Sequence, residues 1–205
     1  MLPDDIDNPL LLLAADQQRA FAAKDPLAGF LCLATASASG QPAARTVVIR
    51  EITAESLLVS SSSTSPKEAD LRENPHYELM IHWSSLNLQY RISGEYSRIA
   101  ATSMPAFYAA CPWRSKVWSW LHDELPQSSI VASRAAFTTR FEALSAELEA
   151  RHGGRDAVPA SPSAGYLRFR PTRVEAQHLD TTLRLHDRRL FTLGDAVWEM
   201  AILIP

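Results

Sequence analysis

Short apolar runs separated by turn-forming residues dominate the chain from Gly29 onward. Runs rich in β-branched and aromatic residues, with a period of two, predict strands. The predicted strands span residues 30–34, 45–50, 56–59, 77–83, 88–99, 166–169, 173–177 and 197–203. Many short strands at close spacing are typical of a small antiparallel barrel, and not of alternating β and α units.

Helical periodicity interrupts this pattern at a few places. Asn8 followed by Pro9 is typical of a helix N-cap with proline in the first turn, and Asp25 with Pro26 ends the pattern. These signals predict an N-terminal helix within residues 1–24. Further helical patterns span residues 66–73, 104–110 and 129–151. The chain is therefore predicted to be α+β and rich in strands.

A polar segment with several glycine and proline residues, residues 153–163, precedes the last predicted strands. The strands within residues 166–205 need partners from the earlier sheet, because so few strands are not stable alone. We expect them to complete the barrel. Residues 1–205 are thus predicted to form a single domain.

Composition narrows the classes of function. A net charge of -3 in 205 residues provides no basic field, which argues against sequence-independent nucleic-acid binding. Two cysteines are too few for a disulfide framework or a cysteine-rich metal site. This indicates a reducing, cytoplasmic setting. The leucines at residues 10–13 follow acidic residues and are too few to span a membrane. The histidines lack metal-ligand spacing, so no metal site is predicted.

A hydroxyl-rich segment, residues 60–65, leaves a predicted strand and enters a predicted helix that begins with Pro66 and Lys67. Backbone N–H groups at a helix N-terminus, serine hydroxyls and a lysine ammonium are groups that bind phosphate. The segment is equally consistent with a flexible linker and an ordinary cap, because no glycine pattern or P-loop motif is present.

Three basic or proton-carrying side chains recur near the C-terminus, in Arg184, His186 and Arg188. On an extended segment, residues two apart share a face, so these three are predicted to form a row that spans a phosphate and a polar ring. The alternative is a solvated edge strand with scattered ion pairs. Arg45 and Arg50, at an odd separation, are predicted to point to opposite faces of their strand.

The order of these segments resembles the pyridoxamine 5'-phosphate oxidase family from about residue 25 to the end. The most specific element is the RLHDR sequence at residues 184–188, followed by the GQP turn at residues 40–42 before RTVVIR. Weaker elements are the serine and lysine helix entry, Glu73-Asn74-Pro75, Trp83 with Gln89, and Gln127-Ser128. The resemblance implies a Greek-key, FMN-binding split β-barrel with flanking helices.

The resemblance also implies roles for individual residues. The expected FMN contacts are Arg45, Thr46, Val47, Val48, Ile49, Arg50, Ser60, Ser61, Lys67, Gln89, Gln127, Ser128 and Arg188. Arg184 and His186 are expected to hold the pyridine ring over the flavin and form the expected catalytic pair. The residues expected near the substrate phosphate are Arg50, Tyr108, Arg114 and Ser115.

The implied activity is the oxidation of pyridoxamine or pyridoxine 5'-phosphate to pyridoxal 5'-phosphate. FMN would take a hydride equivalent from the substrate, and oxygen would then reoxidise the flavin. The family resemblance also implies a homodimer with the flavin at the interface. The clustered Trp113, Trp118 and Trp120 fit such an interface, and they fit simple core packing as well.

Three departures from the family pattern leave other functions open. Arg50 stands where the family usually has lysine, Pro66 replaces a second basic residue, and Gln177 lies where a tryptophan usually covers the flavin. A planar guanidinium and a compact ammonium are not equivalent. The alternatives are a same-fold FMN protein that acts on another small aromatic compound, and a non-catalytic flavin- or haem-binding split barrel.

Overall fold

The computed structural model describes residues 2–3, 5–180 and 182–205. The strands are β1 (Phe30–Ala36), β2 (Pro42–Ile52), β3 (Leu57–Ser62), β4 (Tyr77–Trp83), β5 (Leu88–Ala100), β6 (Ala164–His178), β7 (Asp187–Leu193) and β8 (Trp198–Ile202). The helices are α1 (Pro9–Ala22), α2 (Pro66–Glu73), α3 (Pro105–Ala109), α4 (Trp113–Glu124) and α5 (Arg134–His152). Residues 1 and 4 of the predicted N-terminal segment lie outside the described part.

The strands form one sheet in the order β3-β2-β1-β4-β5-β6-β7-β8, and β3 also pairs with β6. This additional pairing closes the first six strands of that order into a barrel. The pairs β1–β2, β1–β4, β2–β3, β4–β5, β6–β7 and β7–β8 are antiparallel. The predicted α+β fold, an antiparallel split barrel with flanking helices, is confirmed.

Alternation along β4 shows how the sequence builds the barrel wall. Tyr77, Leu79, Ile81 and Trp83 are buried, whereas the residues between them are half-buried or exposed. Successive side chains of a strand point to opposite faces, so one set of four residues packs inward together. The Trp83 indole N–H donates to the Leu27 carbonyl at 3.3 Å, which satisfies its polar atom.

Helix α1 begins where the sequence rules place it. The Asn8 side chain accepts hydrogen bonds from the backbone N–H groups of Leu10 and Leu11 at 2.8 and 3.3 Å, and Pro9 occupies the first turn. The helix ends at Ala22, inside the predicted span. None of the described helices is both long enough and apolar enough to cross a membrane.

The chain divides into two compact units. Unit 1 comprises Met1–Val59, Asp70–Ser97 and Arg168–Pro205, and unit 2 comprises Ser60–Ala69 and Arg98–Leu167. Unit 1 contains the buried barrel residues Leu33, Leu79 and Tyr90. The core of unit 2 lies between α4 and α5 and consists of Val117, Leu121, Phe141, Leu144, Leu148 and Val158.

Two predictions of local structure are wrong. The segments predicted as separate strands at residues 166–169 and 173–177 belong to one strand, β6, which continues through Pro171. Proline lacks an N–H and usually interrupts a strand in the middle of a sheet, which is why the sequence pattern favoured a break. Helix α5 begins at Arg134 rather than at residue 129, because Ser133 caps it by accepting from the Ala136 N–H at 3.1 Å.

Candidate functional site

The predicted cofactor strand lies within β2, in unit 1. Val47 and Ile49 are buried, whereas Thr46 is exposed and Val48 is half-buried. The pairing of β2 with β3 shifts register between Ile49 and Glu51, so Arg50 occupies a bulge. A bulge bends the strand and redirects the side chain it carries.

Arg45 is held by the edge of the barrel. Its Nη1 donates to the Thr35 hydroxyl at 2.7 Å and to the carbonyls of Leu33 and Ala43 at 3.2 and 3.1 Å. Its Nη2 lies 3.5 Å from the Asp70 carboxylate. The guanidinium therefore links β1 and β2, and its predicted contact with FMN stays a prediction.

The serine segment in unit 2 contains two buried hydroxyls that have no hydrogen-bond partner among the described residues. Ser62 Oγ donates to Ser163 Oγ at 3.0 Å, and the Ser63 N–H donates to the Ser163 carbonyl at 2.9 Å. By contrast, the hydroxyls of Ser61 and Ser65 are buried and make no hydrogen bond to any residue the structure describes. Buried polar groups are normally satisfied, so such hydroxyls indicate a ligand or water position.

Lys67 and Gln127 come together although they are far apart in sequence. The Lys67 ammonium, on a residue only 5% exposed, donates to Gln127 Oε1 at 2.9 Å. Burial and the nearby Lys67 charge lower the pKa of His122, which favours a neutral imidazole. Two sequence-predicted cofactor residues are therefore adjacent in unit 2.

Gln127 and Ser128 also line a cavity of about 240 Å³ in unit 2. Its apolar wall contains Trp118 and Phe137, whose ring centroids are 5.3 Å apart. Ser128 has a positive φ of 74°, a conformation that few residues other than glycine adopt. Strained backbone of this kind recurs at ligand-binding sites.

A second pair of predicted cofactor residues lies on β5 and β7 in unit 1. Gln89 Nε2 donates to Gln177 Oε1 at 3.4 Å, and Gln177 pairs with Arg188 in the β6–β7 register. Arg188 Nε donates to Glu175 Oε1 at 2.9 Å. Gln177 is one of the three departures from the family pattern. It connects Gln89 on β5 to the position on β6 that pairs with Arg188.

Glu175 organises the arginines around it. The residue is 1% exposed, and its Oε2 lies 3.1 Å from Arg173 Nη2 and 3.6 Å from Arg91 Nη1. Burial raises the pKa of Glu175, but the hydrogen bond from Arg188 and the charge of Arg91 outweigh burial and hold the pKa below its usual value. The ionised carboxylate therefore fixes the position of Arg188.

We expect Glu175→Gln to lower the free energy of unfolding at pH 7 by about 1 to 3 kcal/mol, because the arginines lose a charged partner. A lowered folded pKa stabilises the fold above the unfolded value of about 4.3, and this contribution disappears as pH falls through the folded pKa. The difference from the wild type should therefore shrink below about pH 4.3 in urea unfolding. Exposed Glu55→Gln is the control, and a difference that stays constant with pH would contradict this role.

The RLHDR segment is only partly extended. Strand β7 begins at Asp187, and Arg184 has a positive φ of 57°. Asp180 Oδ1 accepts from the N–H groups of Thr182 and Leu183, both at 2.8 Å, which makes a tight local turn. The predicted row of three side chains on one face of a strand is therefore wrong, because residues 184–186 lie before the strand.

His186 has a defined hydrogen bond within this loop. Its Nδ1 accepts from the Asp180 N–H at 3.1 Å, so a neutral ring carries its proton on Nε2. The backbone N–H groups of Leu183 and Thr182 lower the pKa of Asp180, so that carboxylate is ionised. The hydrogen bond to Nδ1 therefore fixes the tautomer of a neutral His186, which the sequence alone left open.

Of the four residues expected near a substrate phosphate, Arg50 lies in unit 1, and the other three lie in unit 2 with different partners. Tyr108 is buried, and its hydroxyl donates to the Pro159 carbonyl at 3.2 Å. Arg114 Nη2 binds Glu142 Oε1 at 3.0 Å, and its guanidinium lies 4.7 Å from the centroid of Phe141. Ser115 lies in the first turn of α4. The contacts of Arg114 are therefore with α5.

The predicted site residues divide between the two units. Those in unit 1 are Arg45, Thr46, Val47, Val48, Ile49, Arg50, Gln89, Arg184, His186 and Arg188. Those in unit 2 are Ser60, Ser61, Lys67, Tyr108, Arg114, Ser115, Gln127 and Ser128.

Sequence reasoning missed Glu175. The only sign of its role in the sequence is that a carboxylate follows three arginines in a strand-rich region. Among residues 2–3, 5–180 and 182–205, no group of His, Cys, Asp and Glu could hold a metal ion.

Residues 15–147 match the family model described as pyridoxamine 5'-phosphate oxidase. A relative from Sphingopyxis alaskensis, named pyridoxine/pyridoxamine 5'-phosphate oxidase, is 33% identical over 199 residues and covers 97% of this chain and 88% of its own. A relative of the same name from Zymomonas mobilis is 33% identical over 190 residues, which is 93% of each chain.

Solved structures show the same fold. PhzG from Burkholderia lata 383 matches with a TM-score of 0.85 at 22% identity, over 100% of this chain and 98% of its own. A pyridoxamine 5'-phosphate oxidase-related, FMN binding protein from Nostoc punctiforme matches with a TM-score of 0.71 at 20% identity, over 93% and 96%. The family model covers most of the chain, and the relatives cover nearly all of it. The chain therefore belongs to the pyridoxamine 5'-phosphate oxidase family.

Proposed function

We propose that this protein is an FMN-dependent oxidase that converts pyridoxamine or pyridoxine 5'-phosphate to pyridoxal 5'-phosphate with oxygen as the acceptor. The observation that carries the proposal is the pair of buried hydroxyls of Ser61 and Ser65, which have no hydrogen-bond partner in the part of the chain that the structure describes, in the segment that leads to the buried Lys67. The names of relatives that are 33% identical over almost the full chain support the same activity.

These groups fit the phosphate of FMN. A phosphate dianion accepts several hydrogen bonds, and the two hydroxyls are donors that none of the described residues uses. Lys67 adds a positive charge next to them in sequence, at the start of α2. No glycine-rich dinucleotide turn of the GxGxxG type occurs in the sequence, which favours FMN over FAD.

The other proposed flavin contacts follow from the resemblance. Gln127 and Ser128 would accompany Lys67, and Arg45, Gln89 and Arg188 would contribute from the barrel strands. Glu175 would keep the Arg188 guanidinium in place through the 2.9 Å hydrogen bond. A pre-positioned arginine loses less conformational freedom when it binds an anion.

When bound, FMN would supply the redox chemistry by accepting a hydride equivalent from the carbon that bears the amine or alcohol. The protein's own contribution is placement of the substrate. His186 presents its Nε2 proton as a donor because its Nδ1 accepts from the Asp180 N–H. It would hold the phenolic oxygen of the pyridine ring, with Arg184 beside it in the same loop.

We also propose a homodimer with the flavin at the subunit interface, as the family resemblance implies. Several apolar side chains on the described surface would suit such an interface, including Ile130, which is fully exposed, and Val131 in the loop before α5. Light scattering tests this part of the proposal, because a mass near 22.7 kDa with FMN bound contradicts a shared site.

The activity itself is tested on purified protein. We expect a flavin absorbance spectrum, FMN in the mass spectrum of the released cofactor, and formation of pyridoxal 5'-phosphate from pyridoxamine 5'-phosphate under air. Unphosphorylated pyridoxamine is the matched control and should turn over far more slowly. Recovery of FAD, or no flavin after reconstitution with FMN, would contradict the cofactor assignment.

A second candidate is a same-fold FMN protein that acts on another small aromatic compound. The departures at Arg50, Pro66 and Gln177 favour it, because each changes a residue expected near flavin or substrate. The fold match to PhzG, whose structure is in complex with tetrahydrophenazine-1-carboxylic acid, shows an aromatic acid in a related fold. Bound flavin without turnover of pyridoxamine 5'-phosphate would select this candidate.

A further inference from the structure

Arg45 on β2 is anchored through one nitrogen of its guanidinium. Nη1 donates to the Leu33 carbonyl at 3.2 Å, to the Thr35 hydroxyl at 2.7 Å and to the Ala43 carbonyl at 3.1 Å. Nη1 carries two of the N–H groups of the planar guanidinium fork. Three acceptors therefore occupy both of them, and the remaining N–H groups are those of Nε and Nη2.

The edge of the fork formed by Nε and Nη2 has little to bind within unit 1. No described residue accepts from the Nε of Arg45, and Nη2 has only Asp70 Oδ2, at 3.5 Å. That distance is beyond the usual range of a hydrogen bond. The Arg45 side chain is 25% exposed, so an acceptor from outside the chain can reach it. Neighbouring N–H groups on one edge of a guanidinium suit two oxygens of an anion.

Thr35 connects this anchor to Asp70 on α2. The Thr35 residue is buried, and its hydroxyl donates to Asp70 Oδ2 at 2.6 Å while it accepts from Arg45. A hydroxyl has one proton to donate. Because the Asp70 carboxylate accepts that proton, the Thr35 oxygen presents its lone pairs to the arginine. Asp70 and Thr35 thus form a short chain of hydrogen bonds that ends on Nη1 of Arg45.

We propose that Thr35 and Asp70 are positioning residues for the cofactor, which hold Arg45 with its Nε and Nη2 edge available to an anionic group of FMN. The inference rests on the proposed function, in which Arg45 contacts FMN. The family resemblance implies no role for Thr35 or Asp70, and neither needs to touch the flavin. An arginine that is fixed beforehand loses less conformational freedom when it binds an anion.

Thr35→Val tests this role, because valine is similar in size and lacks the hydroxyl. We expect the dissociation constant of FMN to rise about 3- to 10-fold, the effect of ordering one long side chain on binding. Thr35→Ser keeps the hydroxyl and should stay within about 2-fold of the wild type. Thr192→Val removes the hydroxyl of an exposed threonine on β7 and should leave the constant unchanged. Fluorescence titration of the flavin-free protein with FMN measures each constant.

A double-mutant cycle separates positioning from a merely structural role. If Thr35 acts through the guanidinium, Thr35→Val should not weaken FMN binding further when Arg45→Ala is already present. A structural defect around β1 would instead weaken binding by the same factor in both backgrounds, and that result would overturn the proposal. A Thr35→Ser variant that binds FMN as weakly as Thr35→Val would overturn it too.

Asp70 gives an independent readout if Thr35→Val fails to fold. Asp70→Asn keeps an oxygen that accepts from Thr35 and removes a negative charge beside the guanidinium, so FMN should bind at least as tightly as to the wild type. Asp70→Leu removes the acceptor and should raise the dissociation constant about 3- to 10-fold. Equal affinities of Asp70→Asn and Asp70→Leu for FMN would contradict a role of Asp70 as the acceptor that orients Thr35.

The results also distinguish this inference from the proposed function. If the wild type binds no FMN, the cofactor assignment fails and the positioning role fails with it. If Arg45→Ala weakens FMN binding but Thr35→Val and Asp70→Leu do not, the proposed function stands and only the positioning role is overturned. Urea unfolding of each flavin-free variant shows that every titration is made on folded protein.

Discussion

Gly94→Ala should lower the free energy of unfolding by about 3 kcal/mol, at the upper end of the usual cost of overpacking. A Cβ atom at this position would lie 2.3 Å from the Arg170 carbonyl oxygen, 2.6 Å from the Thr172 nitrogen and 2.8 Å from the Pro171 Cα. All three neighbours are backbone atoms, so space for the methyl group arises only if β5 and β6 separate. Equilibrium unfolding in urea measures the loss.

Gly29→Ala is the matched control for this substitution. A Cβ atom at Gly29 would meet only the Phe21 ring, at 3.6 Å, which is an ordinary van der Waals contact. We expect a change within about 1 kcal/mol, because alanine also reduces the freedom of the unfolded chain. Equal losses of unfolding free energy for the two variants would show that the close approach of the β6 backbone does not restrict this position to glycine.

Removal of the Lys67 ammonium should weaken FMN binding without preventing folding. Lys67→Met keeps the buried stem and removes the charge, so we expect the dissociation constant of FMN to rise about 10- to 100-fold, equivalent to about 1.5 to 3 kcal/mol. Fluorescence titration of the flavin-free protein with FMN measures this constant. Arg45→Ala and Arg188→Ala are expected to act in the same direction.

We expect His186→Ala and Arg184→Ala to impair turnover and not FMN binding, in contrast to Lys67→Met. Both residues lie in the loop before β7 and are proposed to hold the substrate, so flavin content should stay near normal while turnover falls. Arg188, only two residues beyond His186, is the internal comparison because its proposed partner is the flavin. If Arg184→Ala sheds its FMN while turnover per bound flavin stays normal, the proposed division of roles along RLHDR is wrong.

Local rules predicted the elements whose cause is local. The N-cap at Asn8 and the proline after it place the start of α1, since the cap satisfies backbone N–H groups within the same turn. The alternation along Tyr77–Trp83 identifies β4, since a half-buried strand needs apolar residues at every second position. The resemblance then located the family and its fold from short motifs spread over most of the chain.

The structure departs from the predicted strands at two positions. Pro171 predicted a break, but β6 continues through it because Gly94 brings the backbone of β5 close to residues 170–172. Arg184 was expected in a strand, but the Asp180 side chain accepts from two backbone N–H groups and makes a turn before it, and β7 begins only at Asp187. At Pro171 the deciding partner is a residue distant in the chain, whereas Asp180 lies only four residues before Arg184, so the turn there has a local cause that the strand pattern did not take into account.

The sequence by itself determined the strand-rich α+β class, the family and the types of residue available to bind an anion. Only the tertiary structure decided which of them meet. It joined Lys67 to Gln127, set Glu175 among three arginines, turned Arg114 towards Glu142 and buried Lys116 beside Tyr108. Charge and hydrogen-bonding capacity belong to each residue alone, but burial and pairing depend on residues distant in the chain.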